Sequence, residues 1–274
     1  MSVAPATSHA TEVTDQGFLL LRGLLDERAL QPVRQALEHQ VDVVLNDLYD
    51  RGFISDRGLG LPFARRLTVA GREVNRYGRG WTETLAGPAV FALHQQPALL
   101  ALLRDLLGPV VAGHRQFNIR PKLPGQDLTT VPWHQDSGYY GPQTAVDTIP
   151  TVWVPLVAVD ADNGCMQIVP RSHREGLRAH DVEATEAAFL RLRGEPDPAR
   201  VLTMPMAPGD VLVMHNLLWH RSLDNTSDGV RWSIDLRFYS PTTTNAELLR
   251  GSFPEPWILC GAPATTLERW QTWY

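Results

Sequence analysis

Trp133-His134-Gln135-Asp136 is the stretch of this 274-residue chain with the clearest potential for chemistry. Side chains two apart on a β-strand end point the same way, because strand side-chain direction has period two. His134 and Asp136 would then offer an imidazole and a carboxylate to one metal ion from one side. A third ligand has to come from elsewhere. His220, closing the run from Gly209 to Trp219, is the leading candidate. His215 is its rival, five residues earlier and so on the opposite face of a regular strand. Two histidines and one carboxylate on one face leave three coordination positions open, the facial triad of non-haem Fe(II) oxygenases. The open positions can take a bidentate 2-oxo acid and then O2. A His-X-Asp pair is common in chains that bind no metal, so its context matters. Ser222 follows His220 by two residues and Arg231 by eleven. Arg231 opens Arg231-Trp232-Ser233-Ile234-Asp235-Leu236-Arg237-Phe238, where apolar and polar residues alternate. An arginine there can grip a carboxylate through two parallel hydrogen bonds. Taken alone, it is the pattern of a surface ion-pair partner.

The elements that must position these residues change in texture along the chain. Residues 17–25 (GFLLLRGLL) read as a short buried strand. Asp26 is a helix N-cap, and Leu30, Val33, Leu37, Val41, Val44 and Leu45 recur at helical spacing over 27–50. Residues 51–80 predict a long loop with a short helix. Residues 88–107 predict a second helix, ended by Gly108-Pro109. From 110 onward, short β-prone runs alternate with Gly, Pro and Asp turns, at 110–121, 129–135, 149–159, 166–169, 201–206, 210–215 and 231–239. A helix is expected to interrupt them near 182–192. Such spacing predicts an all-β barrel or sandwich. The expected fold is mainly β with flanking helices: a double-stranded β-helix, the jelly-roll or cupin-like form, in a single domain over 1–274. Residues 1–12 are expected to be a flexible tail.

These pieces, in this order, resemble the phytanoyl-CoA dioxygenase family of Fe(II)/2-oxoglutarate oxygenases. The match runs through 17–25, Trp133 to Asp136, Asn163-Gly164-Cys165-Met166-Gln167-Ile168-Val169-Pro170-Arg171-Ser172-His173, and Pro208-Gly209-Asp210 to His220, Ser222 and Arg231. The resemblance implies that His134, Asp136 and His220 ligate iron. It implies that Arg231 binds the distal carboxylate of the cosubstrate 2-oxoglutarate and that Ser222 assists it. Trp153 resembles a tryptophan lining the cosubstrate pocket, although plain core is an equal reading. Asn118 or Gln116 is expected to touch the cosubstrate. Arg171 departs from the family, standing where glycine is usual. A lysine used by some members has no clear counterpart, and Arg72, Arg76 or Arg79 is the expected substitute. The implied reaction turns 2-oxoglutarate and O2 into succinate and CO2 while a C–H bond of a small molecule is oxidised. Asp136 favours hydroxylation over halogenation, which needs a vacated ligand position. Desaturation, epoxidation, cyclisation or epimerisation at the same site stays open, as does a β-barrel protein that binds a small molecule without turnover. A zinc or manganese cupin is disfavoured by the pairing with Arg231. Trp133, Tyr139 and Tyr140 are pocket wall or packing. Arg79, Arg115 and Arg120 either meet an anionic substrate or are solvated.

Composition narrows the setting. Apolar residues make up 43% and charged residues 20%, with a net charge of −5. No segment concentrates basic residues, so nucleic acid is not an expected partner. Lys122 is the only lysine, so arginine supplies the other 24 of 25 basic residues. That bias suggests a GC-rich genome and, with the resemblance, bacterial secondary metabolism. Two cysteines, Cys165 and Cys260, rule out a disulfide framework or a cysteine zinc site. The polar N-terminus lacks the pattern of a signal peptide, and no apolar run reaches the ~20 residues that span a bilayer. A cytoplasmic enzyme is expected.

Overall fold

The computed structural model describes residues 8–77, 81–126, 129–183 and 188–274. Helix α1 (His9–Gln16), capped by Ser8, takes in residues 9–12 of the expected tail and leads into strand β1 (Phe18–Leu21) and helix α2 (Glu27–Asp50). Strand β1 is shorter than the expected 17–25, whereas α2 has the expected bounds. The Asp26 carboxylate accepts from the Ala29 N–H and satisfies a free donor of the first turn. Leu30, Val33, Leu37, Val41, Val44, Leu45 and Leu48 form the buried stripe of α2. Each such aliphatic side chain contributes about 1.5–3 kcal/mol on burial. Residues 51–80 are more helical than expected, with turns at Phe63–Arg66 and Leu67–Tyr77. The single helix expected over 88–107 is two, Pro88–His94 and Pro97–Leu107. Gln96 is held at ψ 126°, because the ring of a following proline crowds the helical conformation.

Eleven more strands follow: β2 (Val111–Gly113), β3 (Asn118–Lys122), β4 (Thr151–Pro155), β5 (Met166–Ile168), β6 (His180–Val182), β7 (Leu190–Leu192), β8 (Leu202–Met204), β9 (Val211–Met214), β10 (His220–Ser222), β11 (Arg231–Tyr239) and β12 (Trp257–Cys260). The larger sheet runs β1-β9-β4-β11-β2-β12, with β3 also paired to β11. The smaller runs β10-β5-β8. The β6–β7 pair stands where the sequence predicts a helix near 182–192. Leu192 donates its N–H to Trp133 O, so pairing with the rest of the chain overrides the local helical spacing.

The alternation of the larger sheet separates two cores. Val152, Val154, Val211, Val213, Trp232, Ile234, Leu236 and Phe238 pack against the helices. Their neighbours Trp153, Leu212 and Met214 meet Met166, Ile168 and Met204 from the smaller sheet. The two sheets therefore face one another as the expected cupin-like jelly roll, with helices flanking the larger sheet. No helix among the described residues is long and apolar enough to cross a membrane.

Candidate metal and cosubstrate site

Strand β11 lays out one wall of the site. Its even-numbered residues fill the helix-side core, which turns Arg231, Ser233, Asp235 and Arg237 toward the smaller sheet. These four are only 2%, 0%, 4% and 6% exposed. Residues directly opposite on neighbouring strands share a face. The register sets Lys122, Arg120 and Asn118 of β3 opposite Arg231, Ser233 and Asp235. It sets Trp153 and Thr151 of β4 opposite Asp235 and Arg237. Strand β10, in the smaller sheet, brings His220 and Ser222.

His134 and Asp136 reach this wall by a route other than the expected strand end. His134 forms an isolated antiparallel bridge with His220, each N–H donating to the other's carbonyl at 3.0 and 3.1 Å. Asp136 has left the extended conformation (φ −59°, ψ −34°) and precedes a helical turn, Ser137–Tyr140. The turn still aims both side chains at one point. Nε2 of His134 and of His220 lie 3.7 and 3.8 Å from Asp136 Oδ1, and all three ligand atoms fall within 4.8 Å of one another. Each Nδ1 is 2.9 Å from a backbone carbonyl, Pro132 O or Leu218 O. Donation there places the proton on Nδ1 and leaves the Nε2 lone pair for a metal. Burial, and then the neighbouring His134, push the His220 pKa down to about 4. Burial alone would raise the Asp136 carboxyl, but Arg237 and the two imidazoles hold it well below the usual carboxylate range. Its Oδ2 accepts the Thr151 hydroxyl at 2.5 Å. Two imidazoles with free Nε2 and an ionised carboxylate fit a divalent metal. His215 lies elsewhere, its ring 5.1 Å from that of His173, and its Nδ1 accepts the Leu217 N–H.

A cavity opens beside the triad, walled by Thr151, Trp153, Met166, Met214, Ser222 and Arg231. Arg231 is buried at its end. It donates to Ser233 Oγ at 2.5 Å and lies 5.6 Å from the centre of the Trp153 ring. It forms no ion pair among the described residues. Burial, and then Arg120, lower its pKa to about 10. Ser222 Oγ accepts from Lys122 Nζ at 2.8 Å and from the Val131 N–H at 3.1 Å. Burial, and then Arg231, push the lysine down to about 6. The result is a buried guanidinium with no ion-pair partner among the described residues, adjoining a metal-binding triad.

Several expectations change. Gln116 and Asn118 do not line the Arg231 cavity. They line the other side of the triad with Tyr139 and Tyr140. The reason is register: Asn118 faces Asp235, and donates to its Oδ1 at 2.8 Å, rather than facing Arg231. Trp133 packs with Val169, Leu192 and Trp219. Arg120 pairs with Asp235 at 2.9 Å. The side chains of Arg72 and Arg76, and all of Arg79, lie outside the described residues. Lys122, the single lysine, stands behind Ser222. Sequence reading also passed over Thr151, Asp235 and Arg237. The signal for the last two was present: polar residues at every second position of an otherwise apolar strand.

The Asn163-Gly164-Cys165 motif has a physical reason. Gly164 has φ +89°, and a Cβ there would lie 2.6 Å from Leu223 O and 2.7 Å from Lys122 Cδ. Arg171 adopts φ 65°, a left-handed conformation that glycine takes without cost.

Comparison with known proteins places this geometry. Residues 13–233 match the family described as Phytanoyl-CoA dioxygenase (PhyH). Human peroxisomal phytanoyl-CoA dioxygenase is 26% identical over 235 residues, 82% of this chain and 66% of that protein. The 1-deoxypentalenic acid 11-beta-hydroxylase of Streptomyces arenae is 33% identical over 159 residues, 53% of this chain and 55% of that enzyme. The matches therefore span less than two thirds of the length of these relatives. Among solved structures, the apo form of a non-heme monooxygenase, ThoJ, shares the fold with a TM-score of 0.59, at 22% identity over 93% of this chain and 84% of that one. A family match over most of the chain, around a buried His-Asp-His cluster, shows that the chain belongs to the phytanoyl-CoA dioxygenase (PhyH) family of Fe(II)/2-oxoglutarate oxygenases.

Proposed function

We propose that the protein is an Fe(II)- and 2-oxoglutarate-dependent dioxygenase that hydroxylates a C–H bond of a small molecule in bacterial secondary metabolism, in one cytoplasmic domain. The reading rests above all on Arg231, a fully buried guanidinium with no acid partner among the described residues, at the end of a cavity that begins at the triad. A buried cation of that kind calls for an anion, and the distal carboxylate of 2-oxoglutarate answers it. In this reading His134, Asp136 and His220 hold iron, and Arg231, Ser222 and Lys122 anchor the cosubstrate, with Trp153 as its wall. When bound, iron and 2-oxoglutarate supply the oxidising power, releasing succinate and CO2 with O2 consumed. The chain's own residues orient and exclude. Thr151 and Arg237 fix the Asp136 carboxylate, and the apolar Trp153, Met166 and Met214 keep water from the cosubstrate. The two cysteines are free, consistent with a reducing compartment.

The test is 2-oxoglutarate-to-succinate conversion with Fe(II). Wild-type protein should turn over slowly without substrate. Arg231→Ala should raise the apparent 2-oxoglutarate constant at least ~30-fold, since a charge-assisted pair to a buried group is worth about 2 kcal/mol or more. Arg231→Lys should rescue only partly, because a point charge lacks the planar fork. Unchanged dependence in the alanine variant removes Arg231 from the site. Asp136 fills a ligand position in this reading, so product made in chloride or bromide buffer should carry no halogen by mass spectrometry. A halogenated product would displace Asp136 from the triad.

A further inference from the structure

A second cavity, of about 500 Å³, lies on the side of the triad away from Arg231. It shares Gln116, Asn118, Tyr139 and Tyr140 with the space lined by His134 and Asp136. Those shared walls set the larger cavity next to the space at the metal ligands. The volume suits a drug-sized molecule. Much of the lining is apolar or aromatic: Phe117, Tyr140, Leu248 and Leu249. Leu248 and Tyr139 are 44% and 42% exposed at its mouth, which favours an apolar body lying against them.

The charges around this cavity single out one residue. Arg120 and Arg237, deeper in, both pair with Asp235. His114 is neutral near pH 7: burial, and then Arg237, push its pKa down to about 4. Its Nδ1 accepts the Gln116 N–H. Arg115 also lines the cavity. It is exposed, and its guanidinium forms neither an ion pair nor a hydrogen bond among the described residues. A cavity with aromatic and aliphatic walls, neutral polar groups and one free guanidinium suits a molecule with an apolar body and one acidic group.

We propose that the primary substrate is a free carboxylic acid with an apolar body, and that Arg115 binds its carboxylate at the mouth of this cavity. The inference rests on the preceding reading of the triad and deepens it by naming the substrate class. It also sets the substrate apart from a coenzyme A thioester. Such a thioester carries several phosphate charges, and the described lining of this cavity offers a single unneutralised cation to meet them.

The test uses anaerobic protein loaded with Fe(II) and 2-oxoglutarate. The charge-transfer band of that complex, read before any probe is added, reports a loaded site. The probes are 4-phenylbutyrate and adamantane-1-carboxylate, each against its methyl ester, together with 4-phenylbutyryl-coenzyme A. Binding is followed by calorimetry and by perturbation of the band. At least one acid should bind wild-type protein about tenfold or more tighter than its ester, the scale of one charge-assisted contact. Arg115→Gln should abolish that preference, and Arg115→Lys should keep part of it. The preference is a ratio within one protein, so a general loss of stability does not mimic it. Failure of both acids to bind overturns the proposal. So does equal binding of acid and ester, a preference that survives in Arg115→Gln, or tighter binding of the coenzyme A thioester. A wild-type protein that shows no charge-transfer band overturns the iron and 2-oxoglutarate reading, and this proposal with it. A band without acid preference overturns this proposal alone.

Discussion

Tautomers decide the chemistry of the triad residues. His134 and His220 each spend Nδ1 on a carbonyl two residues earlier, so neither ring has to reorganise to present Nε2. His215 offers no such convergence. His134→Ala, Asp136→Ala and His220→Ala should each lose iron and turnover, whereas His215→Ala should keep most of both. Iron content by chelator assay, beside succinate formation, checks this, and loss of iron from His215→Ala with retention in His220→Ala would reverse the assignment. Lys122 gives a prediction with a sign. Burial, and then Arg231, lower its pKa to about 6, so the free protein carries this lysine mostly neutral at pH 7.5. A dicarboxylate bound beside it favours the charged form and raises that pKa. Binding then takes up a proton, and 2-oxoglutarate affinity should fall as pH rises above about 6, until the pKa of the bound state is passed. Lys122→Met should flatten that dependence. A wild-type affinity that is flat from pH 6 to 8 would exclude the lysine from the coupling.

At the scale of elements, one strand and one turn do most of the positioning. Strand β11 serves two cores at once because its residues alternate between them, and the polar set is held in register by β3 on one side and β4 on the other. The Gly164 turn lies against Leu223 and the Lys122 side chain. Gly164→Ala would meet Leu223 O and the Lys122 side chain at sub-van der Waals distance, on top of a left-handed backbone. The backbone strain alone should cost about 1–2 kcal/mol. The displaced Lys122 and Ser222 should weaken 2-oxoglutarate binding as well. Gly52 separates the two effects: it has φ +74° and nothing within 4 Å of an added Cβ. Gly52→Ala should show the strain in denaturant unfolding and leave 2-oxoglutarate affinity unchanged. Equal affinity in both variants would deny the Gly164 turn its positioning role.

Across the whole molecule, the site bridges the two sheets. Lys122, Thr151 and Arg231 belong to the larger sheet, His220 and Ser222 to the smaller, and His134 and Asp136 to the segment between them. The apolar clusters on either face of the larger sheet are complete without any bound group. Protein treated with a metal chelator should therefore keep its far-UV circular dichroism and melt cooperatively. Fe(II) with 2-oxoglutarate, added anaerobically, should raise the midpoint, because ligands that bind only the folded state stabilise it by mass action. The gain is about 2.7 kcal/mol at a hundred times the dissociation constant. A melt indifferent to both additions would mean that these residues hold neither.

The amino-acid sequence by itself determined much of this protein. The periodicity of α2 and the Asp26 cap were legible because both are local rules of spacing and hydrogen bonding. His134, Asp136, His220, Ser222 and Arg231 were legible because their order and spacing resemble a known family. The tertiary structure alone decided the rest. It put β6 and β7 where local spacing favoured a helix, because a hydrogen bond to Trp133 rewards the extended chain. It put Lys122 behind Ser222, a hundred residues away in sequence, since only the pairing of β3 with β11 brings them together. It paired Asn118 with Asp235 through strand register, which no single strand's sequence specifies. And it left Arg115 free while pairing its neighbour Arg120, because which arginines find acids depends on what the fold places across from them.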